Sequence, residues 1–294
     1  MKRTFSLVTA FVLASLSTFA QDKPAEKAPE SPWKKKTEFG LNFNQGSFSN
    51  SWTGGGVNSI AFAGFFNAKG EYNKGKTNWV NDFQAQYGVI SNKGQSARKS
   101  IDRIFFDTKL SHKLNPKWNL FGSLNFLSQF NSGYAYATTA AGAETRTLIS
   151  NLFAPAFITE AFGLEYKPNV HFNMQFAPLS MRQTIVADKE LYKTFPKNYG
   201  VTQGKTLRNE IGLLQVVTNI DQDIAKNVNL KLRHQLFISY SDIAAMDNRI
   251  DAQITAKVNK YLNVTLGTIM IYDQDQSFDI QFAQNLGIGF LYSF

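Results

Sequence analysis

The chain closes with Phe278-Asp279-Ile280-Gln281-Phe282-Ala283-Gln284-Asn285-Leu286-Gly287-Ile288-Gly289-Phe290-Leu291-Tyr292-Ser293-Phe294. Phe278, Ile280 and Phe282, then Leu286, Ile288, Phe290, Tyr292 and Phe294, share one parity, while Asp279, Gln281 and Asn285 take the other. Successive side chains of an extended strand point to opposite faces, so the segment needs one apolar surrounding and one wet one.

The same alternation recurs upstream. Trp79, Phe83, Ala85, Tyr87 and Val89 oppose Asp82, Gln84 and Gln86; Ile104, Phe106, Thr108 and Leu110 oppose Arg103, Asp107 and Lys109. Val228, Leu230, Leu232, Leu236, Ile238 and Tyr240 oppose Asn229, Lys231, Arg233 and Gln235, and Ile250, Ala252, Ile254, Ala256 and Val258 oppose Arg249, Asp251, Gln253, Thr255 and Lys257. A soluble sandwich also alternates, but its strands are shorter; runs of about ten residues suit tilted strands crossing a thin apolar layer. Connections alternate too. Tight turns at Asn115-Pro116-Lys117, Pro168-Asn169, Ala225-Lys226-Asn227 and Asn259-Lys260 are interleaved with long stretches at Asn131 to Ala156 and Ala187 to Lys205. The expected fold is all-β, a transmembrane antiparallel β-barrel of about 12 strands. Its strands are placed at residues 37–46, 56–68, 77–90, 101–114, 118–130, 158–167, 170–185, 207–224, 228–240, 248–258, 262–272 and 278–294. An even number puts both termini and the tight turns on one side.

Composition supports that reading. Of 294 residues, 14% are aromatic, 26 of them Phe, and 18% are charged, below the share of about a quarter usual in soluble domains. Cysteine is absent, which removes disulfides and thiolate chemistry. The net charge of +9 comes from scattered residues, with no basic block interleaved with stacking aromatics, so no nucleic-acid partner is expected. Residues 1–20 read as a signal peptide: Lys2 and Arg3, an apolar run from Leu7 to Leu16, and Thr18-Phe19-Ala20 as the cleavage site. Residues 21–36 read as a flexible periplasmic leader and 37–294 as the barrel, which places the protein in the bacterial outer membrane.

With the polar parities turned inward, the lumen would hold Asp82, Arg103, Asp107, Lys109, Glu165, Arg208, Glu210, Lys231, Arg233, Asp251, Lys257 and Asp279, either as a charged network filling the interior or as the lining of a narrow path. Phe290, Tyr292 and Phe294 would close the barrel. Two functions follow: a passive pore for small polar or anionic solutes, or a sealed structural or accessory subunit of a larger outer-membrane complex. The loop 131–156 has a flexible composition and can fold into the mouth, contact a partner or stay disordered. No catalytic residue, metal site or cofactor is assigned. A lipid-modifying enzyme would rest on His234 beside Ser239 and Ser241, whose spacing does not match the arrangement of barrel phospholipases. The three histidines, His112, His171 and His234, show no metal-binding spacing.

The sequence also resembles a family of exported Bacteroidetes proteins known only as a domain of unknown function and regarded as outer-membrane barrels. The resemblance lies in Phe48-Ser49-Asn50-Ser51-Trp52-Thr53-Gly54-Gly55-Gly56-Val57-Asn58-Ser59, Tyr87-Gly88, Ser132-Gly133-Tyr134, Gly163-Leu164-Glu165-Tyr166-Lys167-Pro168, Arg208-Asn209-Glu210-Ile211-Gly212 and Gly287-Ile288-Gly289-Phe290. It implies the barrel and brings no activity. The partners expected of an outer-membrane barrel are outer-membrane lipid and lipopolysaccharide, the barrel assembly machinery during biogenesis, and an outer-membrane protein partner.

Overall fold

A computed structural model describes residues 31–49, 51, 57–140, 142–243 and 246–293. The expected signal peptide and Phe294 lie outside the described residues. Twelve antiparallel strands close into a barrel: β1 (Trp33–Gly46), β2 (Ser59–Lys74), β3 (Thr77–Asn92), β4 (Arg98–Lys113), β5 (Trp118–Ser128), β8 (Ala156–Tyr166), β9 (Phe172–Ile185), β12 (Leu207–Ala225), β13 (Val228–Ser239), β14 (Asp247–Lys257), β15 (Leu262–Asp273) and β16 (Ser277–Ser293). Each pairs with its sequence neighbour in the wall, and β1 closes the ring against β16. The first strand starts at Trp33, inside the stretch read as leader, because Trp33, Lys35 and Thr37 continue the outward parity of Phe39 and pair with Tyr72, Gly70 and Ala68.

Four further strands stand outside the wall. They are β6 (Gly133–Thr138) with β7 (Glu144–Ser150), and β10 (Lys197–Asn198) with β11 (Val201–Thr202), beside a short 3-10 helix at Lys189–Lys193. The two long connections are therefore folded, at the end opposite the termini. Their own apolar core, Ala154, Val186, Leu191, Tyr192 and Val201, excludes water, and Leu148 and Tyr199 pack against it. Tyr199 donates to the carbonyl of Ile149 at 2.8 Å and Asn151 donates to Asp188 at 2.8 Å, tying the two loops together.

Three of the four tight turns share one device. The Asn115 side-chain oxygen accepts from the backbone N–H groups of Lys117 and Trp118, Asn169 from those of His171 and Phe172, and Asn259 from those of Tyr261 and Leu262, all within 2.8–3.0 Å. A short amide side chain mimics a backbone turn and reverses the strand without spending ladder partners. Aromatic clusters lie at the same end: Trp33 sits 5.3 Å from Tyr72 and 5.7 Å from Trp79, ring centre to ring centre, and Trp118 sits 5.0 Å from Tyr166.

The two faces of the wall differ as alternation demands. Outward rows expose Leu41, Phe62, Leu110, Phe162, Leu179, Ile211, Phe282 and Ile288, while inward positions such as Phe105, Phe121, Glu165, Gln175, Glu210 and Phe237 are buried. An apolar face this extensive suits hydrocarbon rather than water. A bulge between Phe162 and Leu164 lets β8 and β9 approach so closely that a Cβ on Gly163 would stand 1.9 Å from the Phe176 carbonyl oxygen. The seam is shorter than the other joints: β1 pairs with β2 over 14 residues, Trp33–Gly46, but with β16 only from Glu38↔Ser293 to Phe43↔Ile288.

Candidate functional site

The lumen is the candidate site, and ion pairs facing it define three levels. In the middle, Arg233 on β13 faces Asp107 on β4, with Nη1 and Oδ2 3.9 Å apart. These strands stand five places apart in the ring of twelve, so the contact spans nearly the full bore. Phe105 lies between two cations: the Arg103 guanidinium is 4.5 Å from its ring centre and that of Arg233 5.5 Å. Such cation–π contacts hold a guanidinium over an aromatic face without neutralising it. Arg103 donates to Gln84 at 3.2 Å, Gln84 donates to Asp82 at 3.2 Å, and Arg249 binds Asp251 through two nitrogens at 2.7 and 2.8 Å.

Towards the turns, Lys109 on β4 pairs with Glu165 on β8, and Asn119 on the intervening β5 donates to the other Glu165 oxygen at 2.8 Å. The Glu165 side chain is 2% exposed and that of Lys109 12%. Towards the loops, Arg182 on β9 pairs with Asp247 on β14 and lies 4.0 Å from the centre of the Phe237 ring. Arg208 there holds Glu210 at 2.9 Å and also pairs with Asp275 in the β15–β16 turn. Lys197 of β10 donates to the same Asp275 at 2.9 Å, so the loop between β9 and β12 reaches across the mouth to the opposite turn. Burial pushes the Asp275 carboxyl up, but hydrogen bonds from Arg208 and Lys197 outweigh it and hold the group below the ordinary aspartate value. A cavity of about 260 Å³ opens at this level, lined by Arg208, Glu210, Asp242, Asp247, Asp275 and Phe278 among others.

Not every residue singled out in the sequence joins these levels. Among the described residues Lys231 pairs with Asp221, at 3.9 Å, on the neighbouring strand near the turns, and both side chains are about half exposed. Lys257 is exposed at the end of β14, and Asp279 is exposed near the outer end of β16. Phe290 and Tyr292 lie on the outward face of β16; Phe290 and Phe39's neighbour Leu41 are cross-strand partners at the seam, as are Tyr292 and Phe39. Arg249 stands on the polar parity of its strand without being named among the lumen charges, and Arg182, Asp247 and Asp275 are not singled out by the sequence. Arg182 sits between Met181 and Gln183, where alternation is blurred, and Asp275 lies in a turn where no parity applies.

Six residues with a buried side-chain polar atom lacking a hydrogen-bond partner among the described residues, Asn67, Arg103, Ser111, Ser180, Gln215 and Gln281, lie on inward parities. Buried polar groups without protein partners call for water or a polar guest. The histidine and serines are not brought together: His234 points outward and bonds Asn248 at 3.3 Å, while Ser239 is buried on the inward face and bonds Ser241 at 2.7 Å.

Residues 43–134 match a family described as a protein of unknown function, DUF3078. No curated protein matches the chain. Among solved structures, the COG4313 outer membrane channel from Pseudomonas putida F1 is 8% identical with a TM-score of 0.39, over 93% of this chain and 99% of that one. The translocator domain of autotransporter NalP from Neisseria meningitidis is 11% identical with a TM-score of 0.37, over 91% and 90%. The CymD monoaromatic hydrocarbon channel is 10% identical with a TM-score of 0.35, over 88% and 87%.

Proposed function

We propose that this protein is a narrow outer-membrane conduit for small polar solutes, with its constriction at the middle level of the lumen. The observation that carries this reading is the Arg233–Asp107 contact. It crosses the bore, yet its atoms are 3.9 Å apart and each side chain keeps 22% of its exposure. A charge pair that merely filled a dry interior would be drawn into short hydrogen bonds, because loose pairing there leaves desolvation uncompensated. The unpartnered inward atoms of Arg103, Gln215 and Asn67 support a wet lumen as well.

Three arginines at this level, Arg103, Arg233 and Arg249, face three aspartates, Asp82, Asp107 and Asp251, and Lys69, the cross-strand partner of Asp82, adds a fourth cation, so the constriction carries a local excess of one positive charge. At the outer cavity the carboxylates Glu210, Asp242, Asp247 and Asp275 outnumber Lys197 and Arg208. The balance at the outer cavity does not favour anionic solutes. Location in the outer membrane and kinship with exported Bacteroidetes barrels belong to the same reading.

The test is single-channel recording of the refolded full chain. A small conductance is expected, altered by Arg233→Met or Asp107→Asn, with the reversal potential reporting the preferred sign. The closed Lys109–Glu165 and Arg182–Asp247 bridges favour the second reading, a sealed accessory wall. A barrel that carries no current and purifies with a stoichiometric partner would establish that alternative.

A further inference from the structure

The wall carries a groove on its outer face, immediately above the Trp33–Tyr72–Trp79 cluster. Registers fix its make-up. Trp33, Tyr72, Trp79 and Leu110 form one outward row across β1 to β4; Lys35, Gly70, Asn81 and Thr108 form the next; Thr37, Ala68, Phe83 and Phe106 form the third. Large side chains are missing at Gly70 and Ala68, and the result is a cavity of about 230 Å³ between the Trp33 ring and Phe83 and Phe106. The Trp33 ring leans over Gly70, where a Cβ would already stand 3.5 Å from it.

The polar groups of the second row have a direction. Trp79 Nε1 donates to the Thr108 hydroxyl at 2.9 Å, and that hydroxyl donates to the Asn81 side-chain oxygen at 2.8 Å. With its oxygen engaged, Asn81 has its two amide N–H donors left to offer. Lys35 is the charged side chain of the outward row beside it, exposed, with no acidic partner among the described residues; the neighbouring Lys36 is already paired with Glu38 at 2.6 Å on the opposite parity. An ammonium and an amide N–H at the mouth of an apolar groove, level with an aromatic girdle, complement a ligand with an anionic head and a hydrocarbon tail.

We infer that this groove binds one phospholipid of the periplasmic leaflet, with its phosphodiester on Lys35 and Asn81 and the start of one acyl chain along Ala68, Phe83 and Phe106. The inference rests on the barrel being inserted in a membrane as proposed above. At the aromatic pair further round the wall, Trp118 and Tyr166 close directly on each other.

The test uses the full chain in a Trp52→Phe, Trp118→Phe background, so that Trp33 and Trp79 report, reconstituted into phosphatidylethanolamine vesicles. Phosphatidylglycerol with brominated chains is then added in steps. Quenching at lower mole fraction than by brominated phosphatidylethanolamine is expected. Lys35→Gln should weaken that preference about fivefold, the effect of one lysine at a charged membrane surface. Ala68→Phe, which fills the groove, should abolish the tight phase while leaving a heat-modifiable barrel. Equal quenching of wild type, Lys35→Gln and Ala68→Phe by both lipids overturns the lipid site but leaves the membrane reading intact. Absence of quenching by any brominated lipid overturns both.

Discussion

Replacing Lys109 by Met tests whether the lumen is dry at one level and wet at another. The substitution removes the ammonium that faces Glu165, whose side chain is 2% exposed and keeps only the neutral amide of Asn119, at 2.8 Å. An uncompensated buried carboxylate costs about 3–5 kcal/mol. The cost should largely vanish in Lys109→Met with Glu165→Gln, because Gln still accepts from Asn119 and carries no charge. At the middle level the arithmetic differs: Arg233 and Asp107 are each 22% exposed and 3.9 Å apart, and each has a second partner, since Arg233 donates to Asn219 at 3.3 Å and Asn125 donates to Asp107 at 3.4 Å. Arg233→Met should cost no more than about 1 kcal/mol, the worth of a partly exposed pair. The assay is reversible denaturant unfolding in vesicles, followed by tryptophan fluorescence and by loss of the fast-migrating band on unheated gels. Equal losses for Lys109→Met and Arg233→Met would refute the distinction between a packed level and a hydrated constriction.

Ile288→Arg places a charge on the outward face of β16 and should destabilise the inserted barrel by about 2–4 kcal/mol if it lies near the bilayer midplane; a change near zero in the same unfolding assay would mean that this row meets water. Gly163→Ala drives a Cβ into the Phe176 carbonyl at the bulge, and because backbone must move, the variant is expected to lose at least about 1–3 kcal/mol, read as reduced refolding yield; wild-type yield would contradict the close approach. The Asp275 tether has a pH sign. Its folded carboxyl is held below the ordinary 3.8, so the stabilisation is present above that value and is lost as pH falls through the lower folded value. Protease cutting within residues 187–205 should therefore stay slow from neutral pH to about pH 4, and Asp275→Asn should speed it at pH 7; cutting of the variant at the wild-type rate argues against the tether.

The wall was legible in the sequence because a strand with lipid-like and lumen-like faces must alternate, and Ile104 to Leu110 or Ile250 to Lys257 do so without interruption. The Asn-centred turns were legible for an equally local reason, the side-chain oxygen capping its own reversal. The folded cap was not. Tyr134, Ala135 and Tyr136 offer no clean alternation, and the cations over their rings come from other strands: Arg98 of β4 lies 4.2 Å from the Tyr136 ring centre and Arg146 of β7 4.8 Å from that of Tyr134. Parity offers a set of candidate inward charges but not which of them meet. Arg233 reaches Asp107 only because the ring brings β13 and β4 opposite each other, information carried by closure and not by any window of residues.

That closure has a bearing on biogenesis. Every other joint in the wall links strands that follow one another, so hairpins can zip progressively as the polypeptide emerges, whereas Glu38 must await Ser293. Bringing such distant partners together carries the largest loop entropy in the molecule and only a short ladder of bonds in return. A polypeptide truncated before Ile288 would keep most of its hairpins yet present two bare edges, and the readiest complement to each is the other edge of a second truncated copy.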